Sequence, residues 1–197
     1  HLFGLGTLVR LLVLIAAIIV RPGPAAAAPA HIAASLVAES AGAPGGTVML
    51  AFVMRPEAGW HGYWLNPGDA GYPMELRWSL PTGARAGAPR FPVPETLVIS
   101  GLMNHVYPHE YAVLVPLTVP ADATPGKALP IAVDARWLAC SASVCVPESA
   151  HLAARVPIAA PGTNPPPDPR FAEWTRRLPP RSARPRASPS RPRWCGS

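Results

Sequence analysis

The sequence predicts an all-β protein whose central domain is an antiparallel β-sandwich. Apolar residues make up 49% of the chain, which is enough to build a hydrophobic core. Charged residues make up only 14%, and the 28 prolines disfavour a helical bundle because proline interrupts helices. About seven or eight short strand-like runs, separated by turns that contain Gly and Pro, are typical of a sandwich.

The first strand-like runs are residues 32–39 and 47–54, and the linker between them is rich in turn-forming residues. Residues 59–71 follow, aromatic at first and then turn-forming. Residues 74–80 alternate, with Met74, Leu76, Trp78 and Leu80 on one face. Strict alternation predicts a strand with one buried face.

The second half of the domain continues the pattern. Residues 91–95 contain two prolines, which donate no ladder hydrogen bonds and exclude a central strand there. Residues 111–119, 129–139 and 146–158 supply the remaining strand-like runs. We therefore assign residues 31–160 to the sandwich domain.

Residues 1–30 have the pattern of a secretory signal peptide. Arg10 precedes an apolar stretch, and small residues follow with candidate cleavage sites after Ala27 or Ala30. The stretch is shorter than the roughly 20 residues that span a membrane, although an uncleaved anchor is the alternative. Either reading predicts export to a compartment where thiols can oxidise.

Residues 161–197 form a tail of different character, with ten prolines and eight arginines. A short helix is expected at residues 171–178, and disorder or truncation beyond Pro179. These arginines, set against Asp168 and Glu173, account for the whole formal charge of +6. Because the excess lies on a tail, we expect no nucleic-acid binding. Cys195 is treated as a free thiol.

Cys140 and Cys145 stand at the junction of two strand-like runs, so a hairpin would place them at its neck. Their Cα atoms could then approach within the range of about 4.4–6.8 Å that a disulfide requires. Short-loop disulfides are often exchangeable, which favours a redox-active pair. The nearest formal charges are Arg136 and Glu148. We therefore expect a modest reductant controlled by access to the sulfur, not a strongly activated thiolate.

Other roles for this pair stay open at this point. The cysteines could form a purely structural disulfide in a non-catalytic interaction domain. They supply only half of a closed zinc shell. A copper(I) module is a further alternative, because soft ligands occur nearby in the sequence. Its ligands would be Met103, His105, His109 and the two cysteines. We predict no metal and no cofactor.

Three segments together carry a resemblance to a known family. They are Tyr-Trp-Leu-Asn-Pro-Gly-Asp-Ala-Gly at residues 63–71, Phe-Pro-Val-Pro-Glu at 91–95 with Gly-Leu-Met-Asn-His-Val-Tyr at 101–107, and Trp-Leu-Ala-Cys at 137–140 with Cys-Val-Pro at 145–147. In this order they resemble the N-terminal periplasmic domain of DsbD/ScsB-type thiol:disulfide interchange proteins, the disulfide bond corrector domain.

The resemblance implies an immunoglobulin-like sandwich in which Cys140 and Cys145 shuttle electrons. A membrane-embedded donor would reduce the pair, which would then reduce disulfides of periplasmic thioredoxin-like proteins. The resemblance leaves open which cysteine attacks. Full-length family members continue into a transmembrane region and a thioredoxin-like domain. Membrane contact is therefore expected only through the signal segment or such a downstream region.

Three further residues are candidates for supporting the cysteines. Tyr63 or Trp64 could cap the disulfide, although both are also typical core aromatics. Asp69, in Asn-Pro-Gly-Asp, is expected to stabilise a turn, with a role as proton acceptor as the alternative.

Overall fold

The computed structural model describes residues 30–163 and 165–180. Within these ranges the chain forms ten strands and one helix. They are β1 (Ile32–Ala38), β2 (Thr47–Pro56), β3 (Gly62–Gly68), β4 (Glu75–Ser79), β5 (Arg85–Ala86), β6 (Glu95–Ile99), β7 (Leu102–Tyr107), β8 (Tyr111–Thr118), β9 (Ala128–Cys140), β10 (Cys145–Pro157) and α1 (Arg170–Arg176). The predicted signal segment, apart from residue 30, and residues 181–197 lie outside the described residues.

The strands form three antiparallel sheets. The first has the order β1-β2-β8-β5, the second β10-β9-β4 and the third β3-β7-β6. The main core lies between the first two sheets, where alternate side chains of each strand meet. Its members include Leu50, Phe52, Val113 and Val115 from the first sheet and Ile131, Val133, Ala135 and Trp137 from the second. The predicted β-sandwich is confirmed.

Strand β2 is buried on both faces, which explains its unbroken apolar run. Leu50 and Phe52 point into the main core. Ala51 and Val53 point the other way and pack in a second cluster with residues of helix α1. A strand covered by a sheet on one side and a helix on the other has no polar face to present.

Helix α1 lies in the segment predicted as a tail and packs against the sandwich. Phe171, Trp174 and Leu178 recur at helical spacing, and all three are buried against the first sheet. The Asp168 carboxylate accepts a hydrogen bond from the Arg170 amide at 3.0 Å, satisfying one free donor at the start of the helix. Helix α1, which follows residue 160, therefore packs on the sandwich.

Most predicted strands are present, and the runs at residues 32–39 and 47–54 pair as β1 and β2. Strand β4 alternates as expected.

The third sheet was not predicted from the sequence. The Asn66-Pro67-Gly68 segment reads as a turn, yet it continues β3, with a register shift between Tyr63 and Gly68. Because β3 is the outer strand of its sheet, the missing donor of Pro67 is tolerated.

Candidate redox site

Cys140 ends β9 and Cys145 begins β10, and the two residues lie directly opposite each other in the ladder. They form a disulfide with a Cα–Cα distance of 4.0 Å. The Ser141 amide donates to the Val144 carbonyl at 2.8 Å and closes the intervening turn. The Ser141 hydroxyl also accepts hydrogen bonds from the amides of Ser143 and Val144. The cysteines therefore lie at the neck of a hairpin, as the sequence predicts.

The two cysteines differ sharply in exposure. Cys140 is 1% exposed and packs in a small apolar cluster with Tyr63, Val106 and Leu138. Cys145 lies on the surface of the domain. An incoming thiolate must contact the sulfur that it attacks. Of the two residues, Cys145 is therefore the more accessible to an incoming thiolate.

His61 lies on the other side of Cys140. The His61 amide donates to the Cys140 carbonyl at 2.9 Å, and the Cys140 amide donates to the His61 carbonyl at 3.1 Å. Directly opposed residues in an antiparallel ladder project to the same face. His61, Cys140 and Cys145 therefore form one row across three strands. His61 is 4% exposed, and burial lowers the pKa of its imidazole.

The structure brings Tyr63 to the cysteines but directs Trp64 elsewhere. The Tyr63 ring packs in the Cys140 cluster and lies 5.4 Å from the His61 ring, edge to face. Its burial raises the pKa of the hydroxyl. Trp64 is the next residue of β3 and so faces the opposite side. It packs against the main core and meets His105 edge-on. Tyr63 therefore supports Cys140 from inside the domain.

Asp69 fixes the loop that follows β3. Its carboxylate accepts a hydrogen bond from the Met103 amide, and its own amide donates to the Met103 carbonyl, both at 2.8 Å. Two residues later, Gly71 has a φ of 85° and lies so close to the Tyr63 ring that a Cβ atom would be 2.4 Å from Cε1. Asp69 therefore ties the loop after β3 to β7, and this loop lies against the ring that supports Cys140.

Glu148 is the charged residue nearest to Cys145 along β10, and its carboxylate makes hydrogen bonds away from the disulfide. The Glu148 carboxylate accepts hydrogen bonds from the His31 and Ile32 amides and from Nε1 of Trp137. Glu148 is three residues from Cys145, an odd offset that places it on the opposite face of the strand. The Glu148 carboxylate therefore links the start of β1 to the second sheet. It lies on the face of β10 opposite to the sulfur of Cys145.

The proposed copper ligands serve other contacts. Nδ1 of His105 is 2.9 Å from the Asn66 carbonyl oxygen, and the Met103 side chain is 42% exposed on β7. Within residues 30–163 and 165–180, no group of three or more His, Cys, Asp or Glu side chains could hold a metal ion.

A groove of about 830 Å³ runs beside the cysteine hairpin. One wall is β6, with Leu97 and Val98, and the turn residue Ala142 lies at its edge. Trp60 and His61 also line it. Val98 is 63% exposed and Val144, in the cysteine turn, is 49% exposed. An apolar surface therefore lies beside the cysteine turn.

Sequence reasoning did not single out His61 as a site residue. It lies within the aromatic stretch 59–71, two residues before Tyr63, and so on the same face of the strand. The two-residue spacing from Tyr63 is the sequence pattern that could have identified His61 as a site residue. Its pairing with Cys140 depends on how β3 approaches β9 and has no local sequence mark.

Among the residues that the structure describes, no helix has the length and apolar character to cross a membrane. No curated protein matches the chain. The N-terminal periplasmic domain of ScsB from Proteus mirabilis has a similar fold, with a TM-score of 0.58 and 18% identity over 77% of this chain and 56% of that one. This chain thus spans just over half of the ScsB structure.

A second solved structure, the reduced DsbD N-terminal domain from Neisseria meningitidis, matches over 67% of this chain and 90% of that one, with 20% identity and a TM-score of 0.34. The similarity to the ScsB domain is a similarity of fold, and it supports the immunoglobulin-like sandwich that the family resemblance implied. The family model described as thiol:disulfide interchange protein DsbD, N-terminal, matches residues 33–157, which is more than half of the chain. The chain belongs to this family of DsbD N-terminal domains.

Proposed function

We propose that this domain passes reducing equivalents from a membrane-embedded donor to disulfides of periplasmic thioredoxin-like proteins, through Cys140 and Cys145. The observation that carries the proposal is an exposed cysteine bonded to a buried one at the neck of a hairpin. The exposed sulfur is open to a partner, and the buried one stays protected from stray oxidants. The membership of the DsbD family supports the same chemistry.

The exchange proceeds in two steps in each direction. A donor thiolate attacks Sγ of Cys145, the Cys140–Cys145 bond breaks, and the electron pair moves to Sγ of Cys140. The second donor thiolate then attacks the mixed disulfide, so the donor leaves oxidised and the pair is reduced. In the outward direction the Cys145 thiolate attacks a partner disulfide, and Cys140 resolves the mixed disulfide.

The surroundings suit a partner that approaches along the groove. Leu97 and Val98 on β6 and Ala142 in the cysteine turn present apolar surface at the groove beside this turn. A thioredoxin-like protein must bring its own sulfur into line with the disulfide, so flat apolar contact next to the exposed cysteine favours productive docking. The export proposed for residues 1–30 would place this surface in the periplasm, and the mature N-terminus would then follow Ala27 or Ala30.

The test is the reduction potential of the pair in the full chain with Cys195→Ser, equilibrated against glutathione or dithiothreitol buffers. A potential between about −270 and −180 mV supports exchange. A potential well below about −300 mV would identify a structural staple in a non-catalytic domain. Turnover with a thioredoxin-like substrate should also disappear in the double variant Cys140→Ser, Cys145→Ser, and its persistence there would refute the mechanism.

A trapping experiment identifies the attacking cysteine. The Cys140→Ser variant keeps the exposed thiol and should accumulate a mixed disulfide with an oxidised thioredoxin-like protein, because no resolving thiol remains. The Cys145→Ser variant keeps only the buried thiol and should form little adduct. Equal adduct from both variants would contradict the assignment of Cys145 as the attacking residue.

A further inference from the structure

The imidazole of His61 contains an unusual buried polar atom. Nε2 has no hydrogen-bond partner within the part of the chain that the structure describes, and the residue is 4% exposed. Buried polar side-chain atoms nearly always have a partner, because losing water without a replacement is costly. An unpaired atom at such a position calls for a physical explanation.

The position of His61 suggests where its partner arises. The His61 and Cys140 backbones exchange both hydrogen bonds of a ladder pair, so their side chains project from the same face. Side chains opposed in this way have Cβ atoms about 5 Å apart. Tyr63 packs on the same cluster and meets the His61 ring at 5.4 Å. The side chains of His61 and Cys140 therefore project side by side, and Cys140 lies between His61 and Cys145 in this row.

The chemistry of that sulfur changes with redox state. In the disulfide, Sγ of Cys140 carries no proton and no charge, so it offers Nε2 neither a donor nor a strong acceptor. When the disulfide opens, Cys140 carries either a thiolate or an S–H group. A neutral imidazole can donate from Nε2 to the thiolate or accept at Nε2 from the thiol, according to its tautomer.

We propose that Nε2 of His61 is the hydrogen-bond partner of reduced Cys140, and that His61 thereby favours the reduced form of the pair. The inference deepens the proposed function and rests on it for its biological meaning. Attack on Sγ of Cys145 sends the electron pair to Sγ of Cys140, inside an apolar cluster that stabilises a thiolate poorly. His61 offers that leaving group a polar partner from the adjacent position of the ladder, and burial favours the neutral imidazole by lowering its pKa.

The test compares three variants in the full chain with Cys195→Ser. His61→Phe keeps a ring but removes Nε2, whereas His61→Gln keeps a polar group at the end of the side chain. His151→Phe is the matched control, since His151 is exposed on β10 and bonds Asp134 instead. Each protein is equilibrated with glutathione buffers at one pH, and the ratio of reduced to oxidised protein is measured.

His61→Phe should lower this ratio about tenfold at a given buffer potential, which corresponds to about 30 mV for a two-electron couple. His61→Gln should stay within roughly threefold of the parent, and His151→Phe should be unchanged, if one hydrogen bond accounts for the effect. A shift of equal size in His61→Phe and His61→Gln, or no shift in either, overturns the proposal.

A second measurement covers the case in which His61→Phe does not fold. Nitrogen-15 NMR of the parent reports the bonding state of each imidazole nitrogen. The Nε2 resonance of His61 should move on reduction while that of His151 stays in place, and an unmoved His61 resonance overturns the proposal. The parent potential decides the proposed function separately: a value far below about −300 mV removes the exchange role even if His61 shifts the ratio.

Discussion

The unequal burial of the two cysteines predicts a large difference in the reactivity of their thiols. We consider the Cys140→Ser and Cys145→Ser variants, each with Cys195→Ser, so that one thiol remains. In the first variant the remaining thiol, at Cys145, lies on the surface. In the second, the remaining thiol, at Cys140, is 1% exposed. A reagent reaches it only after the strand opens locally.

The cost of that opening can be worked from the contacts. Cys140 must release two backbone hydrogen bonds to His61, at about 1 kcal/mol each. Exposing its small apolar side chain costs roughly 1 kcal/mol more. A total of about 3 kcal/mol corresponds to a thiol that reacts about 100-fold more slowly than an exposed one, since 1.4 kcal/mol is a factor of ten.

Alkylation with iodoacetamide, followed by mass spectrometry at one pH, measures the ratio directly. The same reaction in denaturant is the control, and there the two thiols should react at rates within a few-fold of each other. Native rates within threefold of each other, or a faster Cys140, would refute the reasoning. Either result would mean that the buried cluster around Cys140 opens freely in solution and that exposure does not select the attacking cysteine.

Three further predictions concern the fold. Glu148→Ala leaves three donors without their acceptor and should lower the free energy of unfolding by about 2–4 kcal/mol in urea, with Glu148→Gln costing less. Trp174→Ala should cost about 3 kcal/mol or more in the same assay and leave the reduction potential unchanged, because the helix packs away from the cysteines. Burial raises the pKa values of the Tyr107 and Tyr111 hydroxyls. Their contribution to the free energy of unfolding is therefore complete below about pH 10 and should be lost as the pH rises further. Unfolding followed by circular dichroism at alkaline pH would measure this loss.

The cysteine hairpin could be predicted from sequence because its determinants are local. Two apolar runs flank Cys140 and Cys145, and a hairpin aligns such neighbours by its turn alone. The partners of Cys140 on the other side are different. Tyr63 and Val106 come from strands distant in sequence, and only the third sheet brings them into its cluster. Their identity depends on tertiary packing, which leaves no periodic pattern within the cysteine segment.

The C-terminal helix was predicted from the sequence, but its packing was not. A short helix is expected at residues 171–178, and α1 lies at Arg170–Arg176, within a segment rich in proline and arginine. Three apolar side chains at helical spacing nevertheless bury against the outer face of β2, where Ala51 and Val53 leave room for them. The apolar run of β2 was the available signal, since a strand without a polar face needs a cover on both sides. The face of the sandwich that the helix covers depends on tertiary packing, which has no mark within the helix segment itself.

The small size of the cysteine loop bears on the choice between a redox pair and a structural staple. The two cysteines are five residues apart, so the disulfide closes a loop worth only about 2 kcal/mol in chain entropy. The strands that it joins are also held together by a continuous ladder from Cys145–Cys140 to Pro157–Ala128. The main core between the first two sheets contains neither sulfur. Reduction should therefore cost little stability, which suits a bond that opens and closes in each catalytic cycle better than one retained to hold the fold.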